Sequence, residues 1–289
     1  MITIAVLNRK GGVGKTSTVY HVGGALALAG HRTLTLDLDP QASLTQGHWG
    51  PDLTAELDPR STVAALFAGP WGGCDSLLLT PTALPALWLV RGSGSLEGLT
   101  QGDARAAPAE IQGTVRSFLE SHRRGFACCL IDCPPHLGLC SWCALLAADA
   151  VLCPVNPEDF GAQGISAVNA AVSRARGAGN RRLAGPNFVV SRVDGRRAGH
   201  RRFEATLRER YGAAVLDATL PNLADFADAI TELAPVGRYA PKSRAAAAAK
   251  SVAEELVARL RIPSGRGDAA GDAGGKSPGR RRQASRKGA

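Results

Sequence analysis

The sequence predicts an α/β fold, a mostly parallel twisted sheet with helices on both faces. Three observations lead there. Short β-branched or apolar runs alternate with helical patterns, as they do when parallel strands are joined by crossover helices. The 289 residues are 45% apolar, ample for one large core. The first apolar run passes through a glycine-rich loop straight into a helical pattern.

Taken in order, strands are expected at 2–8, 33–37, 86–90, 127–131, 150–154, 187–191 and 214–218. Helices are expected at 15–29, 106–121, 161–176, 198–211, 222–230 and 244–261. The first helix stops before Gly30, a residue suited to the left-handed turn that ends a helix. Residues 46–75 are rich in Gly and Pro and read as loops with one short helix near 61–68. No internal repeat is apparent. The organisation is one folded domain over 1–262 and a disordered basic tail over 263–289, where Gly, Ala, Ser, Asp and Arg cannot bury enough apolar surface to fold.

Composition narrows the function. No stretch approaches the ~18 uninterrupted apolar residues of a membrane helix. The opening Met1-Ile2-Thr3-Ile4-Ala5-Val6-Leu7 has no basic flank of the kind that starts a secretory signal. A cytoplasmic protein is expected. Seven cysteines, six of them between Cys128 and Cys153, argue against a disulfide framework. Cys140-Ser141-Trp142-Cys143 is a CxxC that suits a shared metal cluster, but without a second pair the simpler expectation is core packing.

The net charge of +9 is zoned. Residues 174–210 carry eleven arginines against Asp194, Glu204 and Glu209, and residues 262–289 carry seven basic residues against Asp268 and Asp272. A mildly acidic body with two basic zones points to a polyanionic partner.

The chemistry is concentrated in Arg9-Lys10-Gly11-Gly12-Val13-Gly14-Lys15-Thr16-Ser17, between the first strand and the first helix. Glycines let a backbone curl until its N–H groups point inward at phosphate oxygens. Lys15 is placed to reach the β- and γ-phosphates of a nucleotide, and the Thr16 hydroxyl to ligate Mg²⁺. The common GxxxxGK[ST] pattern has Gly where this chain has Arg9, and Lys10 is an additional lysine.

KGGVGKTS is similar to the deviant Walker A motif of the ParA/MinD ATPases. Two further segments strengthen the resemblance: Asp37-Leu38-Asp39-Pro40-Gln41 and Leu130-Ile131-Asp132-Cys133-Pro134-Pro135. Pro154-Val155-Asn156-Pro157-Glu158 and Tyr239-Ala240-Pro241-Lys242-Ser243 also sit where the family has comparable segments, so the likeness spans about 1–262.

The resemblance implies an ATP site over Lys10 to Ser17, with Mg²⁺ held by Thr16 and, through water, by Asp132. It implies that Lys10 reaches the phosphates of a partner subunit in an ATP-sandwiched homodimer. Asp39 would position the attacking water. Asp37 is open between a role in that chemistry and a hydrogen bond to its own loop. Ser191 and the Pro221-Asn222 pair match the family's adenine contacts.

Among family branches, MinD-like members end in an amphipathic membrane helix. The residues after Ile262 offer no apolar face for one. Met1 almost abuts the first strand, so no N-terminal DNA-binding extension is expected. The expectation is a short ParA-type ATPase. It would be nucleoid-associated and bind DNA non-specifically through Arg192, Arg196, Arg197, Arg201 and Arg202 as an ATP-bound dimer. A ParB-like or other adaptor would stimulate its slow hydrolysis. The plain alternative for the arginines is solvation of a helix face. Other readings are a MinD-like positioning ATPase and an iron-protein-like reductase with cysteine ligands on the dimer face.

Overall fold

The computed structural model describes residues 1–68, 78–100, 103–157 and 162–264. The expected tail, from residue 265, lies outside these, as do Glu158 and Cys74. The described strands form one eight-stranded sheet: β1 Ile2–Val6, β2 Thr33–Asp37, β3 Leu79–Pro81, β4 Leu87–Val90, β5 Cys128–Asp132, β6 Ala150–Val155, β7 Pro186–Val193 and β8 Leu220–Pro221. Their order is β3-β4-β2-β5-β1-β6-β7-β8. All pairings are parallel except that of β3, which runs antiparallel to β4 at one edge.

The helices used below are α1 Lys15–Leu28, α2 Ser43–Trp49, α3 Thr114–Ser121, α4 Leu139–Ala147, α5 Ala162–Gly177, α6 Ala198–Tyr211, α7 Ala224–Thr231 and α8 Arg244–Leu260. They cover both faces, because strand side chains alternate between two cores. Ala5, Leu34, Leu36, Cys129 and Ile131 pack with Phe118, Trp142, Ile165 and Leu207, from α3, α4, α5 and α6. Ile4, Val6, Cys128 and Leu130 pack on the other side with Val19, Leu44, Ala229 and Val252, from α1, α2, α7 and α8. Helix α1 comes so close to its neighbours that a Cβ on Gly24 would lie 2.3 Å from the Cβ of Pro235.

Three expectations are corrected. The strand expected at 214–218 is replaced by a single bridge from Val215 to Phe188, and the eighth strand lies at Leu220–Pro221. The reason is local: the amides of Asp217 and Ala218 donate to the Glu255 carboxylate of α8 instead of a neighbouring strand. The helix expected at 106–121 is broken at Gly113 into Ala109–Gln112 and α3. The short helix near 61–68 is two 3₁₀ turns, at Pro59–Ser61 and Val63–Phe67.

Candidate functional site

Register places the site. Val6 of β1 pairs with Asp132 of β5, and Asp132 with Asp37 of β2. Three strands therefore end level, and everything that follows them converges at one edge of the sheet. At β1 the strand order turns from β5 on one side to β6 on the other, the crevice in which open α/β sheets bind ligands.

The loop from β1 fills that crevice. Asn8 is buried and anchors the start of the loop: its side-chain amide donates to Pro154 O at 2.7 Å, and its Oδ1 accepts the Lys10 amide at 3.0 Å. Gly12 and Gly14 have φ of 74° and 86°, a region that side chains with a Cβ rarely adopt. Gly14 also occupies the N-cap of α1, and no side chain caps that helix. The first amides of α1 are thus left for an outside acceptor, which favours an anion.

Lys15 is buried, and its ammonium donates to Lys10 O at 3.2 Å, so the cation lies across the inside of the curl. Lys10, Gly11 and Gly12 are exposed, while Thr16 and Ser17 are half-buried. The Ser191 hydroxyl is buried below the loop, 2.8 Å from Val13 O and 3.2 Å from Val155 O.

Two carboxylates behave differently although both are fully buried. Asp37 is satisfied by Thr45, whose amide and hydroxyl both donate to it. Burial pushes its carboxyl up to about 7, against the pull of the Thr45 hydrogen bonds and with a further push from Asp39. Of the two roles left open for Asp37, the geometry shows the hydrogen bond to its own loop. Asp132 has no donor to either oxygen. Burial first, and the Asp37 charge second, hold its carboxyl well above the ordinary range. Thr16 lies near enough to oppose this, without completing a hydrogen bond. A buried, unpartnered carboxylate beside a hydroxyl and a lysine fits a divalent cation.

Asp39 is half-buried two residues beyond β2, its Oδ1 accepting the Gln41 amide at 3.0 Å. Pro221 and Asn222 end the sheet beside β7, where the Asn222 amide donates to Val193 O at 2.8 Å and the residue is exposed.

The five arginines expected to bind DNA, Arg192, Arg196, Arg197, Arg201 and Arg202, are all exposed. Arg196, Arg197, Arg201 and Arg202 are exposed at the start of α6. Arg196 pairs with Asp194, and Arg201 donates to Gly195 O. The Arg192 guanidinium donates to Gly12 O at 2.9 Å, from a point where the register of β7 is irregular. The sequence reading missed Asn8, Thr45 and this role of Arg192. A polar residue directly after an apolar strand was the available sign for Asn8.

The six described cysteines pack in the cores: Cys129, Cys133, Cys140, Cys143 and Cys153 in one, Cys128 in the other. Burial pushes their thiols up, to about 11 for Cys128 and about 12 for Cys140. All six are buried.

The family model described as "AAA domain" matches residues 1–184. The chromosome partitioning protein ParA of Caulobacter vibrioides is 31% identical over 260 residues, which cover 89% of this chain and 94% of that protein. The chain belongs to the ParA/MinD family of P-loop ATPases. The chromosome-partitioning ATPase Soj of Thermus thermophilus is 32% identical over 257 residues, 89% of this ParA/MinD chain and 96% of Soj. In fold, the chain resembles the crystal structure of cobyrinic acid a,c-diamide synthase from Mycobacterium smegmatis with bound ATP analogue and magnesium. The TM-score is 0.74 at 24% identity, covering 91% of this chain and 99% of that one. No helix among the described residues of this family member is long and apolar enough to cross a membrane.

Proposed function

We propose that the chain is a ParA-type switch that binds MgATP, dimerises around it, holds DNA without sequence preference and hydrolyses slowly. The observation that carries this is the curled loop of Gly11 to Ser17 facing the buried, unpartnered Asp132. The partition relatives at 31% and 32% identity support the biological role, and the ATP analogue and magnesium in the fold neighbour support the ligand.

Residue by residue, the loop amides and the end of α1 bind the phosphates, and Lys15 neutralises them from inside the curl. Thr16 and Asp132 would hold Mg²⁺, with Asp132 acting through water because the ion keeps part of its hydration shell. The bound ion would draw charge from the phosphate oxygens as the terminal phosphoryl group leaves. Asp39 orients the water that attacks. Lys10, exposed at the loop mouth, reaches the phosphates held by a second copy. Pro221 and Asn222 contact the base.

Arg196, Arg197, Arg201 and Arg202 form the DNA surface, bound phosphate by phosphate with release of counterions. The protein then acts in the cytoplasm on the nucleoid, with a ParB-like or other adaptor hastening hydrolysis. The ATPase is assigned to a domain over residues 1–262, with the basic tail of residues 263–289 after it.

The experiment is binding to arbitrary duplex DNA with and without MgATP. Binding that needs MgATP and falls with salt at a log–log slope of about −0.9 per phosphate contact supports the reading. Equal binding without nucleotide contradicts it.

A further inference from the structure

Two consecutive residues at the end of β7 hold two consecutive carbonyls of the phosphate loop. Ser191 Oγ donates to Val13 O at 2.8 Å, and an Nη of Arg192 donates to Gly12 O at 2.9 Å. In a regular strand, neighbouring side chains point to opposite faces, so both could not serve one loop. Here the strand breaks register. Ser191 pairs with Leu220 and Val193 with Pro221, with an irregularity between them. Arg192 has φ of 56°, left-handed backbone that a non-glycine residue enters rarely and at a cost. A bulge that re-aims a side chain beside a binding loop is a device for placing that side chain.

The chemistry of the contacts suggests what is placed. The Gly12 carbonyl shares its peptide group with the Val13 N–H, and the Val13 carbonyl shares its own with the Gly14 N–H. A carbonyl that accepts a hydrogen bond polarises the N–H on the far side of its peptide group, and a charged donor does so more strongly. We propose that Arg192, with Ser191 beneath it, is a positioning pair for the phosphate loop. It holds the Gly12 and Val13 carbonyls outward, so that the Val13 and Gly14 amides face the nucleotide. Arg192 is thereby separated from the four arginines assigned to DNA, although it is only four residues ahead of the first. The inference rests on the nucleotide site proposed above.

The test compares Arg192→Gly and Arg192→Lys with the full wild-type chain. Glycine accepts the left-handed backbone, so this variant removes the guanidinium without leaving a strained side chain. Lysine keeps the charge on a single-point donor. The readouts are the Kd of a fluorescent ADP analogue with Mg²⁺ and the melting temperature of the nucleotide-free protein. Arg192→Gly is expected to melt within a few degrees of wild type yet bind the analogue ~5-fold or more weakly, the loss of one charged hydrogen bond. Arg192→Lys is expected to recover part of that affinity. An Arg192→Gly Kd within about two-fold of wild type overturns the proposal. So does a loss matched by a collapse in melting temperature, which would make the contact merely structural. A wild-type chain that fails to bind the analogue would overturn the nucleotide site itself, a different result from either.

Discussion

One carboxylate oxygen of Asp37 accepts both the hydroxyl and the backbone amide of Thr45, at 2.7 and 2.9 Å. The end of β2 is thereby tied to the first turn of α2, where the amide has no helical partner. The Thr45 hydroxyl in turn accepts the Gly92 amide at 2.7 Å. The junction is tight. A Cβ on Gly92 would lie 2.6 Å from that same Asp37 oxygen and 3.1 Å from the Cβ of Ala42. Gly92→Ala should therefore destabilise the fold by about 1–3 kcal/mol through overpacking. Urea denaturation measures it, and an unchanged midpoint would mean that the loop simply gives way.

Lys15→Ala should abolish MgATP binding. Its buried ammonium donates to Lys10 O, and the phosphates would lose that countercharge. Calorimetric titration with MgATP checks it. Wild-type affinity in the variant would remove the loop from the nucleotide site.

Asp39→Ala should bind ATP normally and hydrolyse it slower by roughly 10²-fold or more, the usual scale for losing a positioned carboxylate. Asp39 contacts its own loop through the Gln41 amide and the neighbouring Asp37, so the nucleotide cradle should survive. Phosphate release measures the rate. Hydrolysis at the wild-type rate would assign the water to another group.

Replacing Arg196, Arg197, Arg201 and Arg202 together by Glu should remove most DNA binding and leave MgATP affinity unchanged. These side chains stand exposed at the start of α6. Filter binding over a salt series measures both strength and slope. Undiminished binding would move the DNA surface elsewhere on the chain.

Acid should weaken the fold through two buried histidines. Burial lowers His21 from 6.5 to about 3 and His48 to about 4. His21 stays neutral by accepting the Val236 amide on Nδ1 and facing Phe226 O through Nε2. Both are neutral when folded and charge when unfolded below pH 6.5, so their contribution is complete above that value. It is lost as pH falls toward 3, by at most about 1.4 kcal/mol per unit for each group. Urea midpoints at pH 7.5 and 5 should show the fall. His21→Gln should be less stable at pH 7.5 but lose less on acidification; an equal loss would exclude His21 as the source.

Much of this arrangement was legible in the sequence because it is local. The β1–loop–α1 unit, the strand ends at Asp37 and Asp132, and the alternation of the central strands all follow from short-range pattern. What escaped depends on tertiary contacts. Helix α4 is apolar nearly all round because it is buried, so it shows no face to read. The eighth strand was displaced by Glu255, which lies 38 and 37 residues from the amides it captures. The Arg192 contact with Gly12 O lies at an irregularity in β7, which no charge count reveals. Thr45 looked like any loop threonine until β2 and α2 were brought together.

In the proposed switch two chains close around ATP, each lending Lys10 to the other's phosphates. Lys10 is exposed at the mouth of the loop, and Lys15 lies buried within it. Light scattering with saturating MgATP on the wild type and on Lys10→Ala tests this most directly. The expected result is a wild-type dimer and a Lys10→Ala chain that stays monomeric while still binding ATP, because the partner's phosphate charge has lost its counterion. A Lys10→Ala chain that dimerises with ATP as the wild type does would contradict the shared-lysine dimer.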